Sequence, residues 1–507
     1  MSDQGVETRR NPDDWRKVRR FTLLDPSGEV PGTVFPALYV SDELLVDTGE
    51  ADARAVERLR ALAEKSGWTV DAGESGGNIE DPRIDPQRGM PIPRSRGVSR
   101  SVRLRLGMAK EAEHVVATPD AWALLRQARR TGWGKRGISL NHVLTTDPIG
   151  LNPFKANPFK ANPFKANPFK ANAGTVGIGS YGELGSGGLQ PVTYLGAKPT
   201  RRHPDAIRPI VAVFDTGWGE HPWLKDAVIE PRLGAGEPIG IEPESPTNPE
   251  RTPSLAEPLD GIFDDAAGHG TFIAGIIHQE CPDALILPVR VADGEGVILE
   301  SDLIGALGRL VEFMDDSALE SKRGGSKVAV LNLSFSFHHE TPDDPDTVSE
   351  LKRLLDEIRM RDCVVVCSAG NEATSRPTYP AAIPSNDPGR HVSVGALNPS
   401  DRSIALFSNI GDWVEVYAPG VSLLSTVPIT FEGGIQAGTR DDGHGHRRET
   451  LDVDDFRGGF GVWSGTSFAA PVVAGRIAAR IVAGESPDAA KKSVVKELTA
   501  QDHSRMD

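Results

Sequence analysis

Residues 152–171 read NPFKANPFKANPFKANPFKA, one five-residue unit repeated four times in tandem. Proline lacks a backbone N–H and fixes its own φ, so proline at every fifth position forbids a regular helix or a central strand. The unit is too short and too polar to stack a core, and five residues match no solenoid period. A glycine-rich stretch, AGTVGIGSYGELGSGGLQ (173–190), follows it. The tract is therefore an extended or irregular connector. It divides a chain of 507 residues, long enough for two to four domains. Two roles are open for the repeat: a spacer of no specific function, or a set of exposed Phe-Lys sites where the chain is cut. NPF also matches short peptide-docking motifs.

Behind the connector, apolar runs alternate with helix-like stretches. The runs are RPIVAVFDTG (208–217), ALILPVRV (284–291), KVAVLNLSF (327–335), CVVVCSAGN (363–371) and HVSVGAL (391–397). Helical patterns occupy 300–315 and 348–361. Short buried strands alternating with helices predict an α/β fold around a parallel sheet. In such a sheet the strand ends and helix starts gather at one edge, where ligands bind. Three reactive side chains stand at such positions. Asp215 ends a strand in DTG, His269 stands where a Gly-flanked turn opens an apolar helix, and Ser467 opens another helix in SGTSFAAPVVAG (464–475). A serine is a poor nucleophile at neutral pH, so an imidazole must take its proton and a carboxylate must orient that imidazole. Acyl transfer also creates an oxyanion that needs fixed donors. Asn371, in SAGNE, supplies a side-chain amide, and the N–H groups at the start of the Ser467 helix supply the rest. Taken singly, DTG is a strand-ending turn, GTS is loop chemistry and Asn371 is a turn cap; their conjunction is what points to catalysis.

At VAVFDTG, GHGTFIAG, LNLSFSF, SAGNE with YPAAIPS, and SGTSFAAP the chain resembles the subtilisin-like serine proteases, and the order aspartate, histidine, serine is that family's. The resemblance covers about residues 205–485. It implies a serine endopeptidase acting through an acyl-enzyme on protein or peptide substrates. Asp215 would be the orienting carboxylate, His269 the general base, Ser467 the nucleophile and Asn371 the oxyanion donor. It also implies a substrate-binding set of Ser334, Phe335, Ser336 and Gly370. Where the family usually continues after Ser-Leu with Gly-Gly, this chain reads Ser334, Phe335, Ser336, Phe337. That departure predicts a narrowed or reshaped primary pocket. No cofactor is required and no metal ligand is assigned; calcium sites are common in the family, but no ligand loop here is assignable. A catalytically silent peptide-binding scaffold is the alternative, and a serine esterase a third reading.

The front part reads as strands at 43–48, 68–72, 101–107 and 137–145 and helices at 50–66 and 118–130, the second capped by Thr118-Pro119. This β-α-β-β-α-β order predicts an α+β, ferredoxin-like domain. In many proteases of the resembled family, a domain of that order assists folding and inhibits the enzyme, its last strand running into the cleft. GISLNHVLTTDP (137–148) resembles such a tail. A permanent docking or regulatory domain is the other reading. The expected divisions are an extension (1–35), the prodomain-like domain (36–148), the linker (149–204), the catalytic domain (205–490) and a polar tail (491–507).

A formal charge of −15 and a pI near 5.4 argue against a general nucleic-acid binder. Cys281, Cys363 and Cys367 are too few for a disulfide framework and read as buried thiols, which fits a reducing compartment. Arg19-Arg20-Phe21 faintly resembles an export signal, but the following apolar segment is broken by Asp25, Pro26 and Gly28. The expectation is a cytoplasmic protein without a signal peptide or a membrane span. Residues 428–458 form a long polar stretch holding His444 and His446; it reads as a solvated loop that overhangs the site.

Overall fold

The computed structural model describes residues 21–29, 33–47, 49, 51, 54–72, 84–85, 90–91, 101–109, 117–132, 137–146, 188–255, 261–342, 348–383, 388–441 and 445–501. The NPFKA repeat and His444 lie outside the described residues.

The back part is built on a six-stranded, all-parallel sheet. Its order is Leu285–Arg290, Ile210–Asp215, Val328–Leu333, Val364–Ser368, His391–Leu397 and Val416–Pro419. Successive side chains of a strand point to opposite faces. Val211 and Val213 accordingly join one apolar cluster, with Phe272, Ile276 and Val473, while Ile210, Ala212 and Phe214 join another, with Leu307, Leu310 and Leu354. The first cluster is covered by helices His269–Glu280 and Thr466–Val482, the second by Glu300–Asp315 and Ser349–Arg359. Burial on both faces explains why these strands read as unbroken apolar runs. All three cysteines are buried free thiols, and burial pushes Cys281 up to about 11 and Cys367 up to about 12. The last helix, Pro487–Gln501, runs across residue 490, where the sequence reading ends the domain. Ala490, Val494 and Leu498 recur every four residues and are buried, so the supposed polar tail has one apolar face docked on the core.

In the front part the elements run Leu38–Asp47, Ala55–Glu64, Trp68–Ala72, Ser101–Met108, Ala121–Arg130 and Ile138–Thr145. The four strands pair antiparallel in the order fourth, first, third, second. Both helices pack on one face through Leu59, Leu62, Leu124 and Leu125. The first strand begins five residues earlier than expected because Leu38–Val40 pair with Phe21–Leu23. The extension therefore contributes a strand. The second helix is capped by Asp120, whose carboxylate accepts from Ala123 N at 2.7 Å, rather than by the preceding Thr-Pro pair.

The two parts share hydrogen bonds. Ile138–Thr145 pairs on its outer edge with Val297–Leu299 of the back part, so one sheet passes from one part into the other. No helix of the described residues is long and apolar enough to cross a membrane.

Candidate active site

Asp215 and His269 meet at the C-terminal edge of the parallel sheet, and Ser467 opens the helix that packs beside the His269 helix. Asp215 is the last residue of its strand, and Oδ1 accepts from Thr216 N at 2.8 Å and lies 3.1 Å from Thr216 Oγ1. His269 is the first residue of its helix, reached through Gly268 at φ +82°, a left-handed turn that favours glycine. Its Nδ1 lies 2.8 Å from Asp215 Oδ1. The ring stands among Trp463 and Phe468, at centroid distances of 5.8 and 5.0 Å. His269 Nε2 is buried and makes no hydrogen bond among the described residues.

Ser467 is the second residue of the helix Thr466–Val482. Four residues on stands Pro471, which has no N–H to give back to the Ser467 carbonyl. Ser334 Oγ donates to that carbonyl at 2.8 Å instead, and accepts from Asn332 Nδ2 at 2.9 Å. Asn371 is fixed from the same helix start, its Oδ1 accepting from Thr466 N and Oγ1, both at 2.9 Å. Thr466 Oγ1 in turn accepts from Gly370 N at 3.1 Å. A Cβ on Gly370, which has φ +95°, would come within 2.6 Å of Asn409 and Glu372, so a bare backbone is required there.

The front part ends in this site. Thr145 exchanges both backbone hydrogen bonds with Ser336, at 3.1 and 3.0 Å, and Thr146 N donates to Gly296 O at 3.0 Å. The tail thus lies as a strand between 296–299 and 334–336. Ser467 Oγ donates to the Thr146 carbonyl at 2.8 Å and lies 3.1 Å from the Ser334 carbonyl. Thr146 is fully enclosed, and a Cβ on Gly296 would overlap its Oγ1.

Of the expected substrate-binding residues, Ser334 and Ser336 present backbone groups to the cleft. Phe335 does not line an open pocket: it is 1 % exposed and belongs to the apolar cluster that also takes in Leu144 of the tail. The narrowing expected from Phe335 and Phe337 is instead core packing, Phe337 lying against Tyr379 and His142. His446 is exposed. The loop around it is only partly solvated, because Phe431 and Phe456 at its ends are fully buried and pack on Phe263. Phe431 also lies beside Gly268, next to His269.

Local motifs did not reveal a buried cluster that anchors the tail strand. His142, on the tail strand, holds Glu300 through Nδ1 at 2.6 Å and Glu340 through Nε2 at 2.8 Å. Glu340 also pairs with Arg129 at 3.2 Å and His339 at 3.2 Å. Burial alone would lower the His142 pKa, but Glu300 and Glu340 outweigh it and raise it to about 9. Burial would raise Glu340, yet the protonated His142 and Arg129 hold it well below the usual carboxylate range. Burial pushes His339 down to about 3, keeping it neutral. Among the described residues, His142, His339 and Glu340 form the one group of three ligand-type side chains within 4.8 Å of each other. With the protonated His142 and Arg129 already facing the two carboxylates, the cluster is charge-balanced as an ion network.

The match to the Subtilase family model spans residues 207–502. This chain belongs to the subtilase family. Over 246 residues it is 29% identical to an intracellular serine protease of Paenibacillus polymyxa, covering 45% of this chain and 62% of that one. It is 28% identical to subtilisin NAT of Bacillus subtilis subsp. natto over 238 residues, 44% and 48% of the two chains. The chain thus spans about half to under two thirds of the length of these relatives. Among solved structures, fervidolysin from Fervidobacterium pennivorans, a keratinolytic enzyme related to subtilisin, aligns with 21% identity over 90% of this subtilase and 57% of that chain, at a TM-score of 0.47. A lanthipeptide protease aligns with 24% identity over 58% and 79%, at 0.39.

Proposed function

We propose that this subtilase is a serine endopeptidase whose front part occupies and inhibits its own active site. One observation carries the reading: the Ser467 hydroxyl faces a peptide carbonyl of the chain's own tail, beside a hydrogen-bonded Asp215–His269 pair. In catalysis His269 Nε2 takes the Ser467 proton as Oγ bonds to the substrate carbonyl carbon. Asp215 keeps Nδ1–H in place and stabilises the imidazolium. The oxyanion is met by the Asn371 amide and the N–H groups at the start of the Ser467 helix. His269 then protonates the leaving amine, and water hydrolyses the acyl-enzyme. No cofactor enters these steps. Substrate peptides add as a strand between 296–299 and 334–336, as the tail does.

The antiparallel sheet order of the front part supports a ferredoxin-like inhibitory domain, joined to the protease by a connector that is cut on maturation. The intracellular relatives and the buried free thiols support a cytoplasmic site of action. A serine-directed phosphonate probe tests the activity. Labelling that disappears in Ser467→Ala is expected, whereas folded, matured protein that takes up no label would be a scaffold. Mass spectrometry of wild type and Ser467→Ala tests maturation: wild type alone is shortened between 142 and 205, and equal masses would make the front part a permanent partner.

A further inference from the structure

The loop between Asp215 and His269 carries a second carboxylate, Glu250, with no exposed surface. Its Oε1 lies 2.5 Å from Thr216 Oγ1 and accepts from Gly270 N at 3.0 Å and Thr271 N at 3.4 Å; Oε2 accepts from Thr271 Oγ1 at 2.5 Å. Thr216 Oγ1 also accepts from Gly270 N at 2.8 Å, and it lies 3.1 Å from Asp215 Oδ1. One hydroxyl therefore stands between two buried carboxylates, and a hydroxyl has one hydrogen to give. With both carboxylates ionised, one of them would face an oxygen lone pair. One arrangement satisfies all three groups: Glu250 holds a proton on Oε1 and donates it to Thr216, and Thr216 donates to Asp215.

Charged groups act on Glu250 in both directions. Asp215 faces it from the strand end, with His269 beyond on the helix. Arg290, from the neighbouring strand, donates to Thr247 O at 2.5 Å rather than to Glu250, and its charge acts on Glu250 from a distance in favour of the ionised form. Burial pushes the Glu250 carboxyl up, against the hydrogen bonds it accepts from Thr271, and the Asp215 charge pushes it the same way.

We propose that Glu250 is a positioning residue of the triad: as a neutral acid it turns the Thr216 hydroxyl onto Asp215 and ties the first turn of the His269 helix to the Asp215 turn. Asp215 is then the single anion under the imidazole. The inference rests on the endopeptidase reading, and its test separates the two.

Glu250→Gln and Glu250→Ala are made in the full chain, and kcat is measured per phosphonate-titrated site across pH. In the glutamine variant an amide N–H replaces the acid O–H. It is expected to keep kcat within about threefold and the acid-limb pKa of kcat/KM within about 0.3 unit. The alanine variant loses about tenfold or more in kcat with little change in KM. A fall of about half a unit or more in the acid-limb pKa of the glutamine variant overturns the proposal, because removing a neutral acid changes no charge. Wild-type kcat per titrated site in the alanine variant, with a lowered Tm alone, overturns it too. Should the alanine variant not fold, the glutamine pH profile decides. If even the wild type takes no label, the endopeptidase reading fails by itself. The downfield proton resonance of His269 Nδ1–H then still reads the chain: unmoved in glutamine and shifted in alanine supports the proposal, and any other pattern ends it.

Discussion

Pro471 sets the chemistry of a residue four positions away. By withholding its N–H it makes the Ser467 carbonyl depend on Ser334 Oγ, so a helix defect is repaired by the residue that follows the strand Val328–Leu333. Ser334→Ala leaves that buried carbonyl unmet, at about 1–3 kcal/mol, read as a lower Tm. In a Pro471→Ala background the helical N–H returns, and the same change is expected to cost less; equal costs would show the two residues uncoupled. Asn371 is held by Thr466 at two points, which fixes its side chain, and under the proposed mechanism its amide meets the oxyanion. Asn371→Ala is expected to lower kcat about 100- to 1,000-fold with KM little changed.

Elements differ in how far local sequence reveals them. Strand ends and helix starts carrying Asp215, His269, Ser467 and Asn371 are each bounded by glycine turns and apolar runs, so their identity is written within ten residues. Val297–Leu299 is three residues long, and its pairing partner lies more than 150 positions earlier; no local period announces it. Glu250 likewise sits in a polar loop and acquires meaning only from Thr216 and Thr271. The loop 428–458 reads as solvated because its middle is polar, while its two anchoring phenylalanines are isolated and carry no periodicity. Deleting 430–456 removes Phe431 and Phe456 from the core, each worth about 3–5 kcal/mol, and is expected to unfold the protein. Deleting only 438–450, which removes the paired strands Thr439–Asp441 and Arg447–Glu449, keeps the Tm within a few degrees. Thermal unfolding of the two deletions checks this; equal losses would place the hairpin in the core as well.

At the scale of the molecule, docking of the front part rests on a buried ion cluster as well as on strand pairing. His142 is raised to about 9 in the folded chain, so its contribution is complete below about 6.5 and is lost as pH rises through its folded value. Glu340, held low, contributes above the ordinary glutamate range and loses its effect as pH falls through its folded value. Docking is thus tightest between the ordinary glutamate and histidine pKa values, about 4.3 to 6.5, and loosens on the alkaline side. Hydrogen exchange of the Ile138–Thr145 amides, corrected for intrinsic rate, is expected to quicken above pH 9 in wild type. His142→Ala, which strands Glu300 and Glu340 without their shared partner at about 3–5 kcal/mol, exchanges quickly at all pH values. A wild type with no alkaline change would remove His142 from the latch.

Chain order gives the shared strand a further meaning. Ile138–Thr145 finds its inner partner, Leu38–Asp47, among residues already synthesised, so the front sheet can close while the rest of the chain is still on the ribosome. Asp215 and His269 emerge later, and Ser467 last of the three. Ser467 is thus synthesised after the tail whose Thr146 carbonyl its hydroxyl faces, and under the proposed function the nucleophile would be made after the segment that covers it.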